Sequence, residues 1–142
     1  MGQSAYELFD EAIQKTQVWL NEIGRELAWE SGAGALLALR ATLHALRDRL
    51  PAGEAAQLGA QLPLLIRGLY YEGWRPAAEP WKERHREGFL ARVGHELRGY
   101  AHQKEPEAVV RAVFRVLSQR VSEGEIDDVE KLLPSEVRAL WP

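Results

Sequence analysis

The chain matches itself. Displaced by 71 residues, the segment LRATLHALRDRLPAGEAAQLGAQLPLLIRGLY at residues 39–70 lies without a gap over VRAVFRVLSQRVSEGEIDDVEKLLPSEVRALW at residues 110–141. Identical pairs include Arg40 with Arg111, Leu46 with Leu117, Arg49 with Arg120, Gly53 with Gly124 and Glu54 with Glu125. Leu62-Pro63 falls on Leu133-Pro134, Arg67 on Arg138 and Leu69 on Leu140. Upstream, WLNEIGREL at residues 19–27 matches FLARVGHEL at residues 89–97 with a shift of 70, so one residue of slip is expected in a loop near Ser31 to Gly34. Self-similarity at a fixed period is the mark of a repeat architecture. The expected organisation is one domain over residues 1–142: a first repeat at about 4–74, a linker at about 73–80 and a second repeat at about 81–142.

Each repeat reads as helix. Leu36, Leu39, Leu43, Leu46 and Leu50 recur at spacings of three and four, as one helix face does. The matching helix carries Val110, Val113, Phe114, Leu117 and Val121 on its apolar side. Leu43, Leu46, Phe114 and Leu117 are therefore expected in the core. Glu105-Pro106 suits a helix start, where proline is tolerated. Ser122 and Glu125 have the spacing of a capping box, and the first repeat has Pro51 in place of that serine. Pro63 and Pro134 each open a further short helix. Every repeat reads as two long helices then two short ones, and no alternating strand pattern of useful length occurs. The fold class is all-α: two pseudo-symmetric repeats of about four helices each, packed as one compact bundle.

Most residues kept in both repeats read as structure. Arg49 and Arg120 fall in a last helical turn and Glu54 and Glu125 in a first turn, where the helix dipole favours those charges. An Arg–Glu pair across the turn is expected.

Composition closes several routes. There is no cysteine, so disulfides and cysteine-ligated metal or iron–sulfur sites are excluded. A net charge of −3 does not suit a nucleic-acid binder, which needs a basic surface to neutralise phosphates. Residues 1–4 carry no basic stretch leading into an apolar run, so no secretory signal is expected. Apolar runs such as residues 62–66 fall far short of the roughly 20 residues that span a bilayer. A soluble, cytoplasmic protein is expected, with no membrane and no nucleic acid among its partners.

Three blocks carry a family resemblance: LPLLIRGLYYEGW (62–74), ERHREGFLARV (83–93) and DVEKLLPSEVRALWP (128–142). In combination they make the chain strongly resemble the bacterial and archaeal domain-of-unknown-function family 2267, from about Trp19 onward. The resemblance implies a stand-alone helical protein without an assigned catalytic activity, and it transfers no catalytic residues.

The two repeats differ at one suggestive place. Ser135 and Glu136 in the second are matched by Leu64 and Leu65 in the first, which continues into Tyr70, Tyr71 and Trp74. A helix apolar all round needs cover on more than one side, so Leu64, Leu65, Tyr70, Tyr71 and Trp74 form a candidate interface. The cover could be the other repeat, a second copy of the chain, or a foreign partner or ligand. Around the linker, Glu72, Arg75, Trp81, Arg84 and His85 form a candidate junction pocket. There Glu72 or His85 could serve as general acid–base and Arg84 as an anion clamp. The competing reading has the aromatics sealing the junction and Glu72 paired with a nearby arginine.

Other constellations carry less. His85, His95 and His102 lack the spacing of a metal motif, and SEGEIDDVEK at residues 122–131 lacks that of a calcium loop. No metal, cofactor or catalytic residue is assigned. LPAGEAAQLG has no lysine–serine/threonine pair for a phosphate loop. The helices after the prolines lack the arginine, asparagine and glutamine row that reads bases. The function expected is a non-catalytic intracellular helical interaction or scaffold module that associates with itself or a protein partner. The alternative is a small-molecule-binding protein or enzyme using the junction pocket.

Overall fold

The structure, a computed structural model, describes residues 4–29, 32–98 and 105–142. Among them are eight helices and no strand: α1 (Ala5–Leu27), α2 (Gly32–Arg49), α3 (Ala52–Ala60), α4 (Leu64–Tyr71), α5 (Arg86–Glu96), α6 (Pro106–Arg120), α7 (Glu123–Lys131) and α8 (Ser135–Arg138). Ser31, at the start of the expected slip, and His102 lie outside the described residues, while Gly32 to Gly34 already belong to α2.

The local signals explain most boundaries. Ser4 caps α1 and exchanges hydrogen bonds with Glu7 in a complete capping box. Pro106 occupies the first turn of α6, where its missing N–H costs nothing. Pro51, Pro63 and Pro134 are the N-caps of α3, α4 and α8. Ser122 caps α7 by accepting from the Glu125 N–H. The return bond of a capping box is missing, because the Ser122 N–H donates to Gln61 Oε1 instead and Glu125 turns inward.

α2 is the central helix. Residues 41–47 are all buried, because α1, α4, α5 and α6 surround them. A helix enclosed this way is apolar or small on most sides, and here Ala35, Ala38, Ala41 and Ala45 let the neighbours approach. Leu43, Leu46, Phe114 and Leu117 are wholly buried. α1 lies against α2, α4 and α6, while α5 lies against α6, α8 and α2; α3 packs on α7. An aromatic series crosses the interior from Trp81 through Phe89 (6.1 Å) to Phe114 (6.2 Å) and Trp141 (4.0 Å).

Arg67 and Arg138, aligned in the sequence, do the same task. Arg67 donates from Nε to Gly59 O and from a terminal nitrogen to Leu62 O. Arg138 donates likewise to Glu130 O and Leu133 O. Each thereby satisfies carbonyls at the end of the preceding short helix, which have no partner within it. The expected Arg–Glu pair across the turn is not formed. Arg49 donates to Glu83 O and Arg120 pairs with Glu22, because Glu54 and Glu125 point at each other across the α3–α7 contact instead.

Close approach of α3 to α4 depends on Gly59, where an added Cβ would collide with the Tyr71 hydroxyl and crowd Tyr70. Gly59→Ala is expected to lower stability by about 1–3 kcal/mol, as overpacking does. A thermal melt at or above the parent's midpoint would show that α4 yields freely.

Candidate functional site

Two regions concentrate the residues singled out from the sequence: the strap of residues 72–85 and the outer face of α4. The strap crosses the C-terminal end of α2 and borders an open cavity of about 200 Å³ whose walls include Arg47, Asp48, Trp74, Arg75, Trp81 and Arg92. Arg47 is buried and makes three hydrogen bonds through Nε and one terminal nitrogen. It donates to Asp48 Oδ1 (2.8 Å), Tyr70 O (2.7 Å) and Glu72 O (2.7 Å). Arg92 pairs with Asp48 Oδ2 and stacks over the Trp81 ring, 4.4 Å from its centroid. The Trp81 backbone N–H donates to Asp48 O at 2.7 Å.

The cavity therefore holds a carboxylate with an arginine on each oxygen. Such a group ties chain segments together. Of the five pocket residues proposed from the sequence, Arg75 and Trp81 line the cavity. Glu72 turns out to Arg40, at 3.2 Å with both side chains half exposed. Arg84 is exposed. His85 is exposed too, and its Nδ1 meets Glu136 Oε2 of α8 at 2.7 Å. That hydrogen bond and the Glu136 charge hold the imidazole above its ordinary range. Glu72, Arg84 and His85 are thus spread over the surface rather than gathered at one substrate position.

The five interface candidates divide by face. Ile66 and Tyr70, four residues apart, point inward, and the Tyr70 hydroxyl donates to Ala55 O at 2.6 Å. Burial pushes that hydroxyl's pKa well up. Tyr71 and Trp74 are half-buried and pack on each other with centroids 5.2 Å apart. Leu64 and Leu65 face outward, 52% and 41% exposed. At the matching positions of α8, Ser135 and Glu136 are exposed and Val137 is buried. The leucines therefore sit where the aligned positions of α8 carry polar groups.

The apolar surface extends past α4 in a way the sequence reading missed. Leu64 shares a groove with Leu8, Ala12 and Lys15 of α1 and with Leu62 and Arg67. On another face α1 exposes Tyr6 (83%), Phe9 (57%) and Ile13 (48%). Positions i, i+3 and i+7 lie on one stripe of a helix, so this spacing was readable. No counterpart contrasts with it, because the self-match of the sequence begins only at Trp19. Arg47, Asp48 and Arg92 also went unnoticed, since arginines near helix ends read as solvated.

The family model for the uncharacterised conserved protein DUF2267 matches residues 16–140. No curated protein matches the chain. No helix among the described residues is long and apolar enough to cross a membrane.

Proposed function

The chain belongs to the DUF2267 family, and from that premise we propose that it is a non-catalytic helical interaction module that pairs with a second copy of itself. The observation that carries this reading is the groove shared by Leu8 and Leu64, together with the exposed Leu65 and the Tyr6–Phe9–Ile13 stripe. Exposed large apolar side chains grouped near a groove of this kind mark interaction sites. One chain offers an apolar helix stripe on one face of α1 and a groove on another. Under a twofold operation the stripe of each copy meets the groove of the other, which gives a closed, isologous contact.

The same reading takes each chain as two repeats about an internal pseudo-twofold axis. In its support, α1 crosses to α6 as α5 crosses to α2, α1 meets α4 as α5 meets α8, and α3 meets its counterpart α7. α3 and α7 have nine residues each, and Arg67 and Arg138 make matching bonds. The repeats then differ most at Leu64 and Leu65, where the first is adapted for contact.

The double variant Leu64→Ser, Leu65→Glu tests the module. Both side chains are already half in water within one chain, and covering each recovers on the order of 1 kcal/mol. Light scattering should show a folded monomer where the parent gives a dimer, with helical content retained. An unchanged mass, or a parent that is already monomeric, would overturn the proposal.

A further inference from the structure

Three carboxylates meet where α3 packs on α7. Oxygens of Glu54, Glu125 and Asp128 all lie within 4.8 Å of one another. Glu125 is 8% exposed. Oε2 of Glu54 and Oε2 of Glu125 are both shut off from water and have no hydrogen-bond donor. Two ionised carboxylates in this position would repel each other, and each would leave a buried acceptor unsatisfied, which is costly.

Cations that could neutralise them are engaged elsewhere. Arg120 is held by Glu22, Arg49 by Glu83 O, Arg67 by the α3-end carbonyls and Arg138 by Glu130 O and Leu133 O. From α6, Arg111 goes to Glu107 and Arg115 to Glu26. The ionisable groups acting on the pair are Asp128 of α7 and Tyr70 of α4, whose hydroxyl is tied to Ala55 O.

We propose that Glu54 and Glu125 share one proton between their carboxyl groups, and that this proton latches α3 to α7 and is released in mildly alkaline solution. A proton needs no room and converts one carboxylate into the donor that both orphaned oxygens lack. Release of the proton leaves two facing carboxylates with no donor between them, and the contact loosens.

The direction of the pH response follows. Burial, the Glu54 hydrogen bond and the charges of Glu54 and Asp128 push the Glu125 carboxyl up to about 8 from an ordinary 4.5. Folding therefore takes up a proton between those values. The contribution is fully present below the unfolded value and is lost as pH rises through about 8.

The unaltered protein should lose roughly 5 °C of melting temperature between about pH 6.5 and 9. Glu54→Gln supplies an amide donor to an ionised Glu125, so its melting temperature should stay nearly flat over that range. Carbon-13 NMR of the glutamate carboxyls in the unaltered chain keeps the test independent of any variant's folding. One glutamate titrating well above the ordinary range is the expected result. Every glutamate titrating below about pH 6, or a loss on alkalisation equal in parent and Glu54→Gln, would overturn the latch. So would millimolar Mg²⁺ or Ca²⁺ that shifts the Glu125 signal and abolishes the alkaline loss, since a cation would then hold the site.

Discussion

Replacing Phe114 with alanine should destabilise the chain by about 3–5 kcal/mol, as truncation of a fully buried aromatic does. Phe114 has no exposed surface. Its ring stacks on Trp141 at 4.0 Å with 12° between planes and meets Phe89 at 6.2 Å. Phe89 continues the series to Trp81 on the strap. One side chain thus joins α6, α5 and the C-terminal segment, and shrinking it leaves a cavity that aromatic neighbours fill poorly. Denaturant unfolding followed by circular dichroism reads the midpoint. A midpoint equal to the parent's would show that the interior repacks around the gap.

Arg47→Met should cost a similar amount, about 3–5 kcal/mol, because it breaks a buried charge pair and leaves its partner behind. Methionine keeps much of the length of the side chain and removes the fork. Tyr70 O and Glu72 O then lose their donor, and Asp48 keeps only Arg92. Arg47→Lys should rescue little, since one ammonium cannot serve the three positions that the planar guanidinium spans. Chemical denaturation of both variants checks this. Full rescue by lysine would mean that charge alone, rather than the bond geometry, holds the strap end of α2.

These two sites differ in how far the sequence revealed them. Phe114 was legible because its helix repeats apolar residues at spacings of three and four. The prolines and Ser122 likewise marked the starts of α3, α4, α6, α7 and α8. Arg47 was hidden by its position: an arginine in the last turns of a helix is ordinarily solvated, and only the tertiary path of residues 70–72 brings carbonyls to it. The pairing of Glu54 with Glu125 was hidden for a different reason. Self-alignment shows that two positions are equivalent but not that they face each other. Their helical first-turn setting suggested an arginine partner, and the contact of α3 with α7 brought in the other glutamate instead.

The candidate surfaces show the same limit. Leu64 and Leu65 stood out because the second repeat has Ser135 and Glu136 in their place, a comparison the chain supplies about itself. Tyr70 was grouped with them by sequence neighbourhood, yet the helical turn points it inward beside Ile66. Composition cannot resolve which face a residue takes in an eight-residue helix apolar on most sides. The Tyr6–Phe9–Ile13 stripe had the right spacing but no partner in the repeat to contrast with. Its significance appears only when α1 and α4 are seen to share a groove.

Sedimentation equilibrium of the unaltered protein is the most direct test of self-pairing. Over micromolar concentrations the account predicts a species of twice the 16.0 kDa of one chain, dissociating on dilution to a folded monomer. A mass of 16.0 kDa at every concentration would contradict it.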